Sequence, residues 1–196
     1  MNISTLRPVV AAALLGVLYG QANATVFIRP TQTSFTAAPN GTVPVTVELV
    51  ETGGTSVQDG DGLYSFGFSL ILTVGDASIS AASRNPAFDK QNTGSTTAFP
   101  VSAYQLWADQ DANFGTSGPG ADGSAVTLAT ITLNAGGNGG TFTFGDFGMS
   151  DQTVLYTGDP LDGTLSYGSF TVTVPEPAAL AFVALAAPAL IRRRRH

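Results

Sequence analysis

The middle of the chain alternates between apolar and polar residues, and this period of two predicts β-strands. The clearest run spans residues 64–74, where every even-numbered side chain is large and apolar. Side chains on a strand point alternately to opposite faces, so the even positions form one apolar stripe that should face a core. The positions of this predicted stripe are Tyr64, Phe66, Phe68, Leu70, Leu72 and Val74.

Four further runs alternate in the same way, and no convincing helical spacing occurs between residues 25 and 174. Stretches rich in Gly, Pro, Asn and Asp separate the runs and favour sharp reversals of the chain. We therefore predict an all-β domain, an antiparallel β-sandwich of two packed sheets. The runs cover 43–49, 127–133, 141–144 and 169–174. Their expected inward positions are Val43, Val45, Val47, Leu49, Ala129, Ile131, Leu133, Phe142, Phe144, Phe170, Val172 and Val174.

The composition of this predicted domain excludes several classes of function. Residues 25–174 hold three basic and thirteen acidic residues, whereas nucleic-acid binding needs several basic contacts to phosphate. We therefore expect no nucleic-acid partner. The chain has no Cys, and its one His is the terminal His196. Disulfides, thiolate metal sites and any catalytic arrangement that needs a histidine in the domain are thereby excluded.

The N-terminus has the parts of a secretory signal peptide. Arg7 and the α-amino group supply positive charge, and residues 9–18 form an apolar run too short to span about 30 Å of hydrocarbon. Ala22 and Ala24 then place small residues where signal peptidase requires them. We predict that residues 1–24 are a signal peptide, cleaved after Ala24 by signal peptidase, and that the domain covers 25–174.

The C-terminus, residues 175–196, carries a second targeting pattern. Its first prolines prevent a helix from running out of the domain, and fourteen residues without charge, 178–191, follow. The chain then ends in four arginines and His196. An arginine cluster beside an apolar segment stays on the cytoplasmic side of a membrane, so the domain should lie outside. The apolar segment reaches only about 21 Å as a helix, which leaves cleavage and retention of the tail as alternatives.

This arrangement resembles the PEP-CTERM sorting signal of bacterial exported proteins. In that family an exosortase, an integral membrane transpeptidase-like protein, recognises the tail and processes it near the Pro-Glu-Pro motif. The resemblance implies an exosortase partner, a single apolar C-terminal helix in the membrane, and a cell-surface or extracellular location. An ordinary tail anchor is the alternative interpretation. The residues that match the signal are Pro175, Glu176, Pro177, Arg192, Arg193, Arg194 and Arg195.

Four segments of the domain resemble, in the same order, strands of cohesin-like domains. Such domains are nine-stranded jelly-roll sandwiches that bind dockerins, and related sandwiches bind polysaccharide. The resemblance implies a binding module for another surface protein or for extracellular polysaccharide, and it carries over no dockerin-contacting residue. The segments are NGTVPVTV at 40–47, GLYSFGFSL at 62–70, LWAD at 106–109 and AVTLATITL at 125–133.

One short acidic motif is a candidate metal site. Asp59 and Asp61, each followed by glycine, resemble half of a calcium loop. Leu63 and Leu70 stand where an EF-hand needs an oxygen ligand and a bidentate glutamate, so the EF-hand spacing fails. A calcium site that uses Asp59 and Asp61 and a solvated turn without metal are therefore the two alternatives, and we expect no other cofactor.

Paired carboxylates offer the one route to catalysis that the composition allows. Asp109 with Asp111, or Glu48 with Glu51, could hydrolyse a polysaccharide as acid and base. No sequence feature marks any of them as buried with a raised pKa, which the acid role requires. We therefore predict no catalytic residue, and an exported, non-catalytic module for adhesion, matrix structure or binding. A polysaccharide hydrolase and a cohesin-type protein-binding module are the alternatives.

Three aromatic residues are candidates for a sugar-binding face: Tyr104, Trp107 and Phe114. On one strand Tyr104 and Trp107 would lie on opposite faces, so they cannot form a single flat platform without a bulge. Tryptophan is also largely buried in most domains. Packing in the core is therefore the favoured interpretation for these side chains.

Overall fold

The computed structural model describes residues 25–54, 57, 61–88, 90–92, 99–110, 125–148 and 153–176. The predicted signal peptide and the predicted helix of the tail lie outside these residues. Within them the chain forms twelve strands and one short 3₁₀-helix, Asp162–Thr164. The strands are β1 Thr25–Pro30, β2 Ser34–Thr36, β3 Thr42–Thr52, β4 Leu63–Gly75, β5 Ser78–Arg84, β6 Lys90–Asn92, β7 Ala103–Asp109, β8 Ala125–Asn134, β9 Gly140–Gly145, β10 Val154–Leu155, β11 Leu165–Tyr167 and β12 Ser169–Thr173.

The strands form two sheets that pack face to face, which confirms the prediction of an all-β, two-sheet fold. The five-stranded sheet has the order β11-β1-β3-β8-β5. The seven-stranded sheet has the order β2-β12-β9-β4-β7-β6, with β10 beside β4. All five predicted runs of alternating residues lie on strands of these two sheets.

The first two strands pair in parallel with the last two, so the predicted antiparallel arrangement is wrong for these two pairs. β1 lies parallel to β11 in the five-stranded sheet, and β2 lies parallel to β12 in the seven-stranded sheet. The connection from β1 to β2, after Pro30, and the connection from β11 to β12, at Gly168, both lead from the five-stranded to the seven-stranded sheet, and they run side by side. The amide of Gly168 donates a hydrogen bond to the carbonyl of Ile28 at 2.9 Å and so ties the connections together. The N-terminal and C-terminal strands of the domain are therefore paired with each other in both sheets.

The core lies between the sheets and is filled by the residues that the alternation predicts. Every predicted inward position on the four shorter runs is buried. Phenylalanine side chains of the seven-stranded sheet form the centre of this core, and their rings contact one another. They are Phe66, Phe68, Phe142, Phe144 and Phe170.

The predicted stripe on β4 is correct in its middle and wrong at its C-terminal end. Phe66, Phe68 and Leu70 are fully buried, but Val74 is 67% exposed. The pairing of β4 with β9 shifts register between Leu72 and Val74, and this irregularity turns the last side chains away from the core. A register shift cannot be recognised from alternation alone, because the sequence keeps its period of two through it.

Candidate functional site

The outer face of the seven-stranded sheet carries a second, smaller layer of packed residues. Ser65 and Ser69 on β4 point away from the core and are nevertheless buried. After β9 the chain leaves the plane of the sheet, and the ring of Phe147 lies 6.4 Å from that of Trp107. The side-chain amide of Gln105 donates to the carbonyl of Phe147 at 2.7 Å and fixes this layer against β7.

The chain returns to the sheet as a short strap, residues 153–161, which lies beside the first half of β4. Its turn is closed by a hydrogen bond from the Leu161 amide to the Thr153 carbonyl at 2.8 Å. The Tyr156 amide donates to the carbonyl of Gly62, also at 2.8 Å, and the Gly67 amide donates to the Thr153 hydroxyl at 3.3 Å. Both the backbone and a side chain of the strap are therefore bound to the sheet.

A cavity of about 330 Å³ lies between the strap, β4 and β7. Ligand pockets commonly measure about 300–1,000 Å³, so the cavity has the size of a small binding site. Ser65 pairs with Asp109 on one side and with Val154 on the other, which brings all three to the same row of the sheet. The residues that line the cavity are Tyr64, Ser65, Trp107, Asp109, Val154, Gly158 and Pro160.

The lining combines aromatic, apolar and acidic groups. The ring of Tyr64 meets that of Tyr156 edge to face at 5.8 Å. Trp107 lines the cavity from β7, and its indole Nε1 is buried without a hydrogen-bond partner in the described part of the chain. None of the seven lining residues is basic. The arrangement can bind a ligand that has an apolar face and hydrogen-bonding groups.

The structure corrects the interpretation of the candidate aromatic residues. Tyr104 is buried in the core at 5% exposure, as predicted. Trp107 instead lies on the opposite, outer face of β7, because strand parity places it there, and it is not part of the core cluster. Phe114 lies outside the described residues. The alternation along β7 correctly predicted that Tyr104 and Trp107 lie on opposite faces of the sheet. It could not show that other residues cover the outer face.

The candidate catalytic carboxylates do not meet in a common cleft among the described residues. Glu48 accepts a hydrogen bond from Arg29 Nε at 3.2 Å, an ion pair on the five-stranded sheet. Glu51 is buried and accepts from the amide of Val57 at 2.9 Å. Asp109 lines the cavity, whereas Asp111, its predicted partner, lies outside the described residues.

The calcium hypothesis for Asp59 and Asp61 stays a prediction. Asp61 is exposed in a turn with a positive φ of 58°, a conformation that aspartate adopts more readily than most residues. Asp59 lies outside the described residues. Among the described side chains, no group of three or more His, Cys, Asp or Glu is arranged to hold a metal ion.

Only the beginning of the predicted sorting signal lies in the described part of the chain. Pro175 and Glu176 are exposed and lie after Val174, the residue that follows β12, without helical structure. Pro177, Arg192 to Arg195 and the predicted cleavage residues Ala22 and Ala24 lie outside it. No helix within the described ranges is long and apolar enough to cross a membrane.

Tyr167 on β11 is a partly buried ionisable residue that packs against the core. Burial, together with the negative charges of Asp146 and Asp162, raises the pKa of Tyr167 to about 12. Its hydroxyl has no hydrogen-bond partner within the described residues. Asp162 in turn accepts a hydrogen bond from the Thr153 amide at 3.0 Å, at the start of the strap.

This tyrosine should make the protein sensitive to alkali. In the unfolded chain tyrosine ionises near pH 10, whereas the folded protein retains the proton to about pH 12. The folded state thus gains a contribution that is complete below about pH 10 and is lost as the pH rises towards 12. In denaturant unfolding between pH 8 and about 11.5, Tyr167→Phe should lose less stability than the unmodified protein. Equal losses would contradict this assignment, and Tyr64→Phe serves as the matched control.

The fold and the cavity define a class of protein: a two-sheet β-sandwich with a small cavity beside β4 and β7. No protein-family model matches the chain, and no curated protein matches it. Solved structures that resemble it include cohesin domains.

Three of these structures illustrate the similarity. A chain of a type I cohesin–dockerin complex from Clostridium thermocellum has a TM-score of 0.52 at 13% identity, over 76% of this chain and 99% of that one. The sixth cohesin of scaffoldin B from Acetivibrio cellulolyticus, solved with a mutant dockerin, scores 0.51 at 13% identity, over 77% and 99%. The third ScaC cohesin of the same organism scores 0.51 at 12% identity, over 78% and 100%. The domain therefore has a cohesin-like fold.

Proposed function

We propose that the protein is an exported, non-catalytic binding module that a PEP-CTERM tail sorts to the bacterial surface. One observation supports this most strongly: the sorting motif begins where the folded domain ends. Val174 is still buried, whereas Pro175 and Glu176 are exposed. A processing enzyme at the membrane would therefore reach the motif without unfolding the sandwich.

A binding role without catalysis is supported by the chemistry of the domain. Glu48 and Glu51 are engaged in structural contacts on the five-stranded sheet. The similar solved domains are cohesins, and the complexes in which they were solved contain dockerins. By analogy, this domain would bind another extracellular molecule and would leave it chemically unchanged.

A protein partner is the second candidate, and exposed apolar residues favour it. On the second half of β4, beyond the strap, Ile71 is 48% exposed and Val74 is 67% exposed. Apolar side chains on a flat sheet face suit a protein surface better than a glycan. The cohesin-type alternative therefore belongs to this part of the sheet, and the cavity belongs to the other end of β4.

The sorting proposal is tested by neutralising the tail. We expect that replacement of Arg192 to Arg195 by glutamine leaves export intact but removes most of the protein from the cell surface, because the positive charges hold the tail at the cytoplasmic side. The measurement is protease accessibility on intact cells of the native host, combined with fractionation. Replacement of the same four residues by lysine is the matched control and should retain normal display. Normal display of the glutamine variant would disprove the role of the tail.

A further inference from the structure

The turn between β2 and β3 carries a short motif that the binding role does not use. Asn40, Gly41 and Thr42 follow the pattern of an N-glycosylation acceptor, which is asparagine, any residue except proline, and then serine or threonine. The chain has two other matches, at 2–4 and 23–25. The first lies in the predicted signal peptide, and the predicted cleavage after Ala24 divides the second. The domain at 25–174 therefore offers one complete acceptor motif.

The two side chains that this motif requires are exposed and make no contact that a modifying enzyme would have to break. Asn40 and Thr42 both lie at the surface. Asn40 is bound to the fold through its backbone, because its amide donates to the Gly136 carbonyl at 2.6 Å and its carbonyl accepts from the Asn134 side chain at 3.5 Å. Within the described residues, neither the Asn40 carboxamide nor the Thr42 hydroxyl forms a hydrogen bond.

The backbone around the motif is a surface turn of defined shape. The Gly41 amide donates to the Ala38 carbonyl at 2.8 Å, which places Pro39 and Asn40 at the centre of the turn. Asn40 has a positive φ of 56°, as the third residue of a type II turn requires, and asparagine tolerates this conformation. The Ala135 amide donates to the Gly41 carbonyl at 2.8 Å and holds the turn against the end of β8. The motif is therefore presented on a surface loop, where an acceptor asparagine is expected.

This turn lies at the end of the domain from which the tail leaves. The amide of Ala37 donates to the carbonyl of Thr173 at 3.1 Å. Thr173 is the last residue of β12, and Pro175 begins the proposed sorting motif two residues later. A domain held at the membrane by its tail would therefore place Asn40 near the bilayer, within reach of a sugar donor that a lipid carries.

We propose that Asn40 is N-glycosylated by a transferase that uses a glycosyl diphosphate as donor. The carboxamide nitrogen attacks the anomeric carbon of the sugar, and a C–N bond forms as the bond from that carbon to the phosphate oxygen breaks. The diphosphate leaves with the electron pair, and the nitrogen loses one proton to a base of the transferase. A nucleotide in the cytoplasm or a polyprenyl lipid at the membrane could carry this diphosphate. The inference goes beyond the proposed binding role and does not depend on how the tail is processed.

Mass spectrometry of the protein isolated from its native host tests the modification. We expect the proteolytic peptide that contains Asn40 to be heavier by the mass of one or more sugar residues in most molecules, and fragmentation should place the sugar on Asn40. Unmodified Asn40 in surface-displayed protein would overturn this inference and leave the sorting proposal intact. Glycosylated protein that fails to reach the surface would support this inference and contradict the sorting proposal alone.

A pair of variants tests the motif without changing the turn. Thr42→Val removes the hydroxyl but keeps a branched side chain, so the added mass should be lost completely, whereas Thr42→Ser keeps the hydroxyl and should retain it. Melting temperatures confirm that both variants are folded. Sugar that persists on Asn40 in Thr42→Val would overturn the assignment.

The source of the donor is identified by deleting residues 2–24, which should keep the protein in the cytoplasm. Sugar on Asn40 of this form would identify a nucleotide-carried donor. Its absence there, together with sugar on the exported protein, would identify a lipid-carried donor.

Discussion

Replacing Phe68 by alanine is expected to lower the free energy of unfolding by about 3–5 kcal/mol, as for other large-to-small changes in a packed core. Phe68 is fully buried, and its ring centroid lies 5.5 Å from that of Phe144 and 6.0 Å from that of Phe66. Alanine would remove these contacts and leave a cavity between the sheets. Urea denaturation of the full chain at neutral pH measures the change.

The same strand provides the control for this experiment. Val74 lies six residues further along β4 and is 67% exposed, so Val74→Ala should change stability by no more than about 0.5 kcal/mol. If Phe68→Ala and Val74→Ala lowered the free energy of unfolding by similar amounts, Phe68 would not be packed in the core.

Gly139→Ala is expected to destabilise the domain by about 2–5 kcal/mol, because a positive φ and close packing act together. Gly139 has φ near +77°, and an added methyl group would overlap the carbonyl oxygen of Val172 on β12. The Gly139 carbonyl also accepts from the amides of Asp76 and Ala77 at 3.0 and 3.1 Å, so the backbone cannot shift freely. A thermal or urea unfolding curve gives the size of the loss.

Gly163 is the matched control for the glycine substitution. It lies in the 3₁₀-helix, and an added methyl group there would meet nothing within 4 Å. Gly163→Ala should therefore leave stability unchanged or raise it by less than about 1 kcal/mol. Equal destabilisation by both variants would show that the contact with β12 is not the cause.

The period-two pattern was sufficient to predict the fold class and the centre of the core. Where a strand has strong apolar residues on one face, as in β3 with Val43, Val45 and Val47, the buried face follows directly from sequence. β5 lacks this contrast, because its neighbouring residues Ala81 and Ala82 have identical side chains, and its register with β8 shifts between Ile79 and Ala81. The sequence therefore did not reveal β5 as a strand.

The candidate site could be predicted only in part. The alternation along the strand correctly predicted that Trp107 and Tyr104 lie on opposite faces. The segment LWAD at 106–109, which contains Trp107 and Asp109, was predicted to be a strand from its resemblance to cohesin-like domains. The cavity itself depends on the strap, whose β10 has just two residues, Val154 and Leu155, too few to show any period. Pairing between residues that lie about 90 positions apart, such as Ser65 with Val154, is decided by tertiary packing and leaves no local signal.

The position of the proposed sorting motif would determine which end of the domain a tethered molecule presents to its surroundings. β4 begins at the cavity and ends at Gly75. Gly75 pairs with Gly140, and Gly140 pairs with Val172 on β12, two residues before the domain ends. The end of β4 that is far from the cavity therefore lies beside the end of the domain. The eleven residues from Ser65 to Gly75 span about 30–35 Å of extended chain. If the tail holds this end of the sandwich against the bilayer, the opposite end projects outward beyond the lipid headgroups. The cavity and the strap would then lie at the far end of a rigid, uniformly oriented spacer.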